Sequence, residues 1–220
     1  MSAAPSIRPL PEQAQTEPAP LRIALPDVPL PVTIRPARLL SDEELLDFCA
    51  ANDGLEIEGN ADGSIVVMTP AGPEISRLNQ ILSGELMLWA RKSGHGAVFG
   101  PDLGIRFPDM TLRAPDVAWL SIERWNAVRE QRKRRPAFLT FCPEFVAELR
   151  SPSDRASQVE AKMEFWMARG AQLGWLIDPK RKLAMIYRPD DRVETLLHPE
   201  FLDGEGPIQG FRIGMSEFWE

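Results

Sequence analysis

Two carboxylates in this chain sit in apolar surroundings that folding alone would not choose for them. Asp116 lies in Ala114-Pro115-Asp116-Val117-Ala118-Trp119-Leu120, and Glu148 in Phe145-Val146-Ala147-Glu148-Leu149-Arg150. Pro115 fixes its own φ and makes the approach to Asp116 extended, and the apolar run behind it predicts a buried strand. On a strand, Val146, Glu148 and Arg150 share one face, while Phe145, Ala147 and Leu149 share the other. A carboxylate there is costly unless a cation or strong donors meet it. Arg150 is one such partner, and with it Glu148 would be a structural ion pair. Pro-Asp is likewise a common strand-start pair. The order of a Pro-Asp strand, a Glu-x-Arg strand and then a helix admits a second chemistry. Carboxylates on neighbouring strands can hold Mg²⁺, with the Leu149 carbonyl as a third oxygen ligand. Such an ion polarises a phosphodiester and helps generate hydroxide from water.

The helix expected over 155–169 adds a third group. Val159, Lys162 and Trp166 are spaced by three and four residues, so they share one face with Met163 beside them. Lys162 therefore lies within the apolar stripe rather than opposite it. Either its alkyl stem covers apolar surface while the ammonium snorkels to water, or the helix packs on the sheet and aims the ammonium at Glu148. Other signals are weaker. Arg124, Arg129, Arg132, Lys133, Arg134 and Arg135 form a basic run, read either as a solvated helix face or as a phosphate-contacting loop. His95 and His198 have no ligand spacing, which argues against zinc. Cys142 has no histidine near it in sequence and suits a core position. Six scattered tryptophans suit core or interface positions rather than a base-stacking platform.

These residues need elements to position them. Ser41 with Glu44 three residues later marks a helix start, running to about residue 51. Residues 55–58 and 64–68 flank a Gly-Asn-Ala-Asp-Gly turn and predict a hairpin. A long helix is expected from Glu74 to about Lys92, with Ile75, Leu78, Leu82, Leu86 and Trp89 as its apolar stripe. Short strands are expected near 97–99, 104–107 and 115–120, then a polar helix from Ile122 ending in the basic run. A strand over 144–150 follows, then the helix ending at Gly170. Three strands over 173–178, 182–187 and 193–197 come last. The pattern predicts an α/β (α+β) fold with a mixed central sheet flanked by helices and additional antiparallel strands.

Composition sets the outer limits. The chain has 220 residues, of which 44% are hydrophobic and 26% charged, which excludes a disordered chain, a collagen and a coiled-coil rod. Nine of the 21 prolines fall in residues 1–36, so an extended or disordered arm is expected there and the folded domain over 37–220. No eighteen-residue apolar run exists, so no membrane span is expected. The N-terminus has no signal-peptide pattern, and cytoplasmic location with reduced thiols is expected. The net charge of −7 argues against a surface that binds nucleic acid all over, but leaves room for a local basic site.

Pro115-Asp116 followed by Glu148-Leu149-Arg150 resembles the PD-(D/E)XK nuclease signature with its terminal lysine replaced. Leu112–Trp119, Cys142–Asp154 and Gly174–Pro179 more closely resemble a bacterial group of restriction-endonuclease-type proteins, the Uma-two group. The resemblance covers roughly 39–219, including the closing Gly210-Phe211 and Phe218-Trp219. It implies a restriction-endonuclease-like core and a metal-dependent endonuclease acting on nucleic acid, with DNA the expected partner. It also implies Mg²⁺ or Mn²⁺ as cofactor, with Asp116, Glu148 and the Leu149 carbonyl as ligands. A glutamate on the first core helix often reaches the metal in this superfamily, and Glu74 occupies the matching place. Its other reading is a helix-start acid favoured by the dipole. Arg150 cannot deprotonate and so cannot act as the motif lysine. Lys162 from the next helix is the expected replacement, as the group's pattern implies. The rival reading is a non-catalytic module that keeps the fold and binds a protein or nucleic-acid partner. Small nucleases often pair to cut two strands, so a homodimer is compatible with this reading.

Overall fold

The computed structural model describes residues 22–23, 30–131 and 138–220. Most of the expected N-terminal arm and the basic run Arg132–Arg135 lie outside the described residues. Strand β1 (Val32–Ile34) pairs antiparallel with β3 (Ile65–Met68), so the described end of the arm adds an edge strand to the fold. Helix α1 (Asp42–Ala51) starts with a full capping box between Ser41 and Glu44, as its sequence predicts. Strands β2 (Glu56–Gly59) and β3 form the expected hairpin. Helix α2 (Pro73–Ser93) follows, burying Ile75, Leu78, Leu82, Leu86 and Ala90. Trp89 packs against that core only partly buried.

Strands β4 (Gly96–Phe99), β5 (Ile105–Arg106), β6 (Leu112–Arg113) and β7 (Val117–Ser121) precede α3 (Ile122–Gln131). Strand β8 (Phe145–Leu149) leads into α4 (Ala156–Ala168), after which Gly170 takes the left-handed φ of 100°. Strands β9 (Leu173–Asp178), β10 (Leu183–Tyr187) and β11 (Val193–Leu197) fall where the three runs predict them. A last hairpin, β12 (Phe201–Asp203) with β13 (Arg212–Gly214), carries no clear alternation in sequence and emerges only in the fold.

The described strands form three sheets, a mixed one and two antiparallel ones, the last being the β12–β13 hairpin, which agrees with the expected mixed sheet and additional antiparallel strands. The larger, mixed sheet has six strands in the order β11-β10-β9-β8-β7-β4, and only β8 and β9 run parallel. A smaller sheet has five antiparallel strands in the order β1-β3-β2-β6-β5. One face of the larger sheet offers Phe145, Ala147, Leu149 and Trp175 to α2 and the C-terminal hairpin. The other offers Val146 and Leu176 to Val159, Met163 and Trp166 of α4. The alternation expected along β8 is therefore realised, with both faces buried. Gly174 on β9 lets α4 lie close, because a Cβ there would collide with Met163 Cε. The chain crosses from the small sheet to the large one through Ala114, Pro115 and Asp116, between β6 and β7.

Candidate functional site

The crossing segment is where the charged groups meet. In the β7–β8 register Val117 lies opposite Ala147, so residue 116 comes opposite residue 148, one step beyond the last paired position. Two acids facing each other across a ladder repel, and the surrounding groups answer that repulsion. Asp116 Oδ2 accepts the Leu149 N–H at 2.7 Å. Glu148 is 3% exposed. Its Oε1 accepts the Trp166 ring N–H at 2.7 Å, and its Oε2 lies 3.1 Å from Lys162 Nζ. The ammonium also donates to the Ala114 carbonyl at 2.9 Å and lies 3.4 Å from Glu58 Oε1. Its three N–H donors thus have three acceptors. Lys162 reaches Glu148 directly, and no snorkelling into bulk water takes place. Glu58 in turn meets Arg113 Nε at 3.3 Å.

Negative charge outweighs positive in this group. Burial pushes the Glu148 carboxyl up to about 8, and Asp116 adds to the push against the opposing pull of Lys162 and the Trp166 hydrogen bond. Burial also raises Asp116, with Asp154 adding to it, while Lys162, the Leu149 N–H and the Asn79 amide oppose the rise. For Lys162, burial favours the neutral amine, but Glu148, Glu58 and Asp116 together overcome it and hold the ammonium charged.

Beside Asp116 opens a cleft of about 340 Å³ between α2, the 70–71 loop and the segment 98–101. Its walls carry Glu56, Asp116, Ser76, Asn79, Gln80 and Ser83, with Met87 and Phe99 as apolar parts. Among the described residues, no lysine or arginine lines it. Glu56 accepts the Ala71 N–H at 3.3 Å, and desolvation first, then the Asp116 charge, raises its carboxyl above the ordinary range. A second hollow of about 450 Å³ lies at the C-terminal hairpin against His198, Phe201 and Trp219, away from the four acids of this group.

Asp116, Glu148, Leu149 and Lys162 are brought together as their sequence positions suggest. Glu74 is exposed in the first turn of α2. It stands five residues before Asn79, which is about 140° around the helix at 100° per residue, and it does not line the cleft. Arg150 does not pair with Glu148. Its Nη1 bonds Asp178 Oδ2 at 2.6 Å, and Nη2 and Nε bond the Asp154 carbonyl at 3.0 and 3.2 Å. Arg124 of the basic run is held by buried Glu144 at 3.0 Å and by the Cys142 carbonyl at the same distance. Both cysteines are free thiols, and burial pushes Cys142 up to about 12. Sequence reading misses Glu56, Glu58, Arg113 and Asn79. Only Trp166 carries a signal, since it shares the stripe of Lys162. Among the described residues, no three His, Cys, Asp or Glu side chains form a group able to hold a metal by themselves.

A mixed sheet with helices on both faces and paired acids at the end of neighbouring strands defines a nuclease-like α+β fold. The fold is shared with a solved structure described as a putative nuclease belonging to DUF820 from Anabaena variabilis ATCC 29413. That match has a TM-score of 0.62 and 19% identity, covering 74% of this chain and 89% of the other. A model of the Uma2 family, described as "putative restriction endonuclease", matches residues 42–216, and the chain belongs to that family. None of the curated proteins matches it. Among the described residues, no helix is long and apolar enough to cross a membrane.

Proposed function

We propose that this protein is a Mg²⁺-dependent endonuclease that hydrolyses phosphodiester bonds in DNA. The observation that carries the reading is the register of Asp116 against Glu148, with the Lys162 ammonium 3.1 Å from Glu148 and a cleft open beside Asp116. The donor chemistry fits a hard divalent cation, because the groups on offer are carboxylate, amide and carbonyl oxygens. The charge fits as well. A phosphate entering a cleft lined by Glu56 and Asp116, with no lysine or arginine among its described walls, needs positive charge brought with it.

Asp116, Glu148 and the Leu149 carbonyl would hold the ion, which supplies polarisation of the scissile phosphate and an acidified water. Lys162 favours the ionised form of Glu148 against its burial, and with Trp166 fixes its rotamer. Glu58, itself paired with Arg113, holds Lys162 in turn. Arg150 stands apart in its clamp on Asp178 and Asp154, so the missing motif lysine leaves no vacant role at its own position. Metal binding would also relieve the repulsion among Asp116, Glu148 and Glu56.

The test is cleavage of supercoiled plasmid, linear duplex DNA and RNA with Mg²⁺ or Mn²⁺, comparing wild type with Glu148→Ala. Metal-dependent DNA cleavage lost in the variant is the expected result. Equal cleavage by Glu148→Ala would overturn the site. Metal-free binding of DNA without cleavage would favour a binding module of the same fold.

A further inference from the structure

The acids of the cleft beside Asp116 make up only part of its lining. Ser76, Gln80, Ser83 and Met87 follow one another along α2 at spacings of four, three and four, so they form one stripe down the cleft wall. Asn79 belongs to the same wall, and its Oδ1 has no hydrogen-bond partner among the described residues. Amides and hydroxyls both donate and accept, so this wall keeps neutral hydrogen-bonding capacity. Phe99 lines the cleft from β4, where it pairs with Ala118, two residues beyond Asp116. Its half-buried ring is held edge-on by Trp125, with centroids 5.0 Å apart and planes at 70°. Met87 is 44% exposed. Apolar surface beside neutral polar groups is the lining of a small-molecule site, and about 340 Å³ lies at the low end of the usual range of about 300–1,000 Å³.

This lining suits the base of a nucleotide and not its phosphate. Among the described residues no lysine or arginine lines the cleft, so Glu56 and Asp116 would repel any further phosphate lodged there. A base is neutral, and its edge carries donors and acceptors that asparagine and glutamine amides match. Its faces stack on aromatic rings. A base paired within a duplex offers neither face, because its stacked neighbours cover both.

We propose that the cleft takes one unpaired nucleobase of the strand being cut, beside the phosphodiester at Asp116, and that single-stranded or bulged DNA is therefore preferred to continuous duplex. The inference rests on the endonuclease reading above and names the substrate class of that site. Phe99 and Met87 supply the surface on which the ring lies, and the polar side chains of α2 meet its edge. A base already out of the stack enters at the lowest cost, since a duplex must first be unpaired and unstacked.

The test uses the full chain and four short DNAs: a single strand, an abasic strand of the same phosphate count, a continuous duplex and a duplex with a one-nucleotide bulge. Binding is read by fluorescence anisotropy with Ca²⁺ in place of Mg²⁺, and cleavage with Mg²⁺ or Mn²⁺, in wild type, Gln80→Trp and Phe99→Ala. Circular dichroism and melting check that each variant folds, and Phe99→Leu replaces Phe99→Ala if the latter does not. Wild type is expected to bind the single strand at least about tenfold more tightly than the abasic strand. It should cut the single strand and the bulge at least about tenfold faster than continuous duplex. Gln80→Trp fills the cleft from an exposed position, and it and Phe99→Ala should bind the single strand no better than wild type binds the abasic one. Equal wild-type affinity for the ordinary and abasic strands, or duplex cut as fast as single strand, would overturn the inference and leave the endonuclease reading intact. Variants that keep the wild-type preference would overturn it as well. Base-dependent binding without cleavage of any strand would overturn the endonuclease reading alone. Absence of both binding and cleavage would end both.

Discussion

Glu148 and Asp178 are buried carboxylates near the ends of adjacent parallel strands, 3% and 1% exposed; Glu148 faces Lys162, while Asp178 faces Arg150 at 2.6 Å and the Arg181 guanidinium at 4.0 Å. Their surroundings differ in the balance of charge. Arg150 closes on Asp178 with one N–H and on the Asp154 carbonyl with two more, while Asp178 Oδ1 takes the Arg181 N–H at 3.0 Å. That pair is complete. Lys162 is shared among Glu148, Glu58 and the Ala114 carbonyl, and Asp116 adds a further negative charge. The first arrangement needs nothing from outside, whereas the second lacks positive charge. A surplus of acid in a partly open place is what separates a functional cluster from a structural ion pair here, since burial alone is equal in the two.

The contrast can be broken most forcefully at Arg150. Arg150→Met would leave Asp178 buried with only the exposed Arg181 guanidinium 4.0 Å away, with an expected loss of about 3–5 kcal/mol. Urea denaturation measures it, and residual cleavage per folded molecule should stay near wild type. Cleavage lost without loss of stability would move Arg150 into the functional cluster.

Asp116→Asn reverses that pattern. Metal-dependent cleavage should fall about 10²–10³-fold, while the metal-free protein should melt no lower than wild type, because a repelling charge has been removed. A kinetic assay beside thermal melting decides. Lys162→Met should cut activity in the same assay, and adding Arg150→Lys to it should not restore the rate, since position 150 points to Asp178.

Trp166→Phe removes one neutral donor to an ionised acid. A loss of about 1.5–3 kcal/mol is expected above the Glu148 titration range and less below it, read by denaturation at two pH values. An equal loss at both would show that packing, and not the hydrogen bond, is the contribution of the ring.

The gentlest probe is pH. Glu148 titrates in the folded metal-free protein at about 8, against an ordinary carboxylate value of 4.5. Between these values the native state binds the proton more tightly than the unfolded chain, so stability falls as pH rises through the window. Asp116 shifts in the same direction. The melting temperature without metal should decline from about pH 5 to about pH 8, and Glu148→Gln should flatten the decline. A profile that rises over that interval would contradict the surplus of negative charge.

Much of this molecule is legible in its amino-acid sequence. Period and caps place α1, α2 and α4, and the runs at 173–178 and 193–197 read as strands because their patterns are local. The period-two alternation of β8 separates Glu148 from the apolar face that α2 covers, and helical spacing puts Lys162 and Trp166 on one side of α4. Local periodicity thus determines which faces can meet. It does not determine partners contributed by distant segments. Glu58 and Arg113 come together because β2 pairs with the two-residue strand β6, Gly59 opposite Leu112, a contact that leaves no periodic trace in so short a strand. Arg150 turns to Asp178 rather than Glu148 because β9 lies parallel beside β8, which no spacing within either strand encodes. Asn79 reads as one polar residue among many on a helix, and only the packing of α2 places it in the cleft beside Asp116. Side-chain direction follows from local backbone geometry, but charge balance at a site is a sum over segments far apart in sequence, and that sum exists only once the chain has folded.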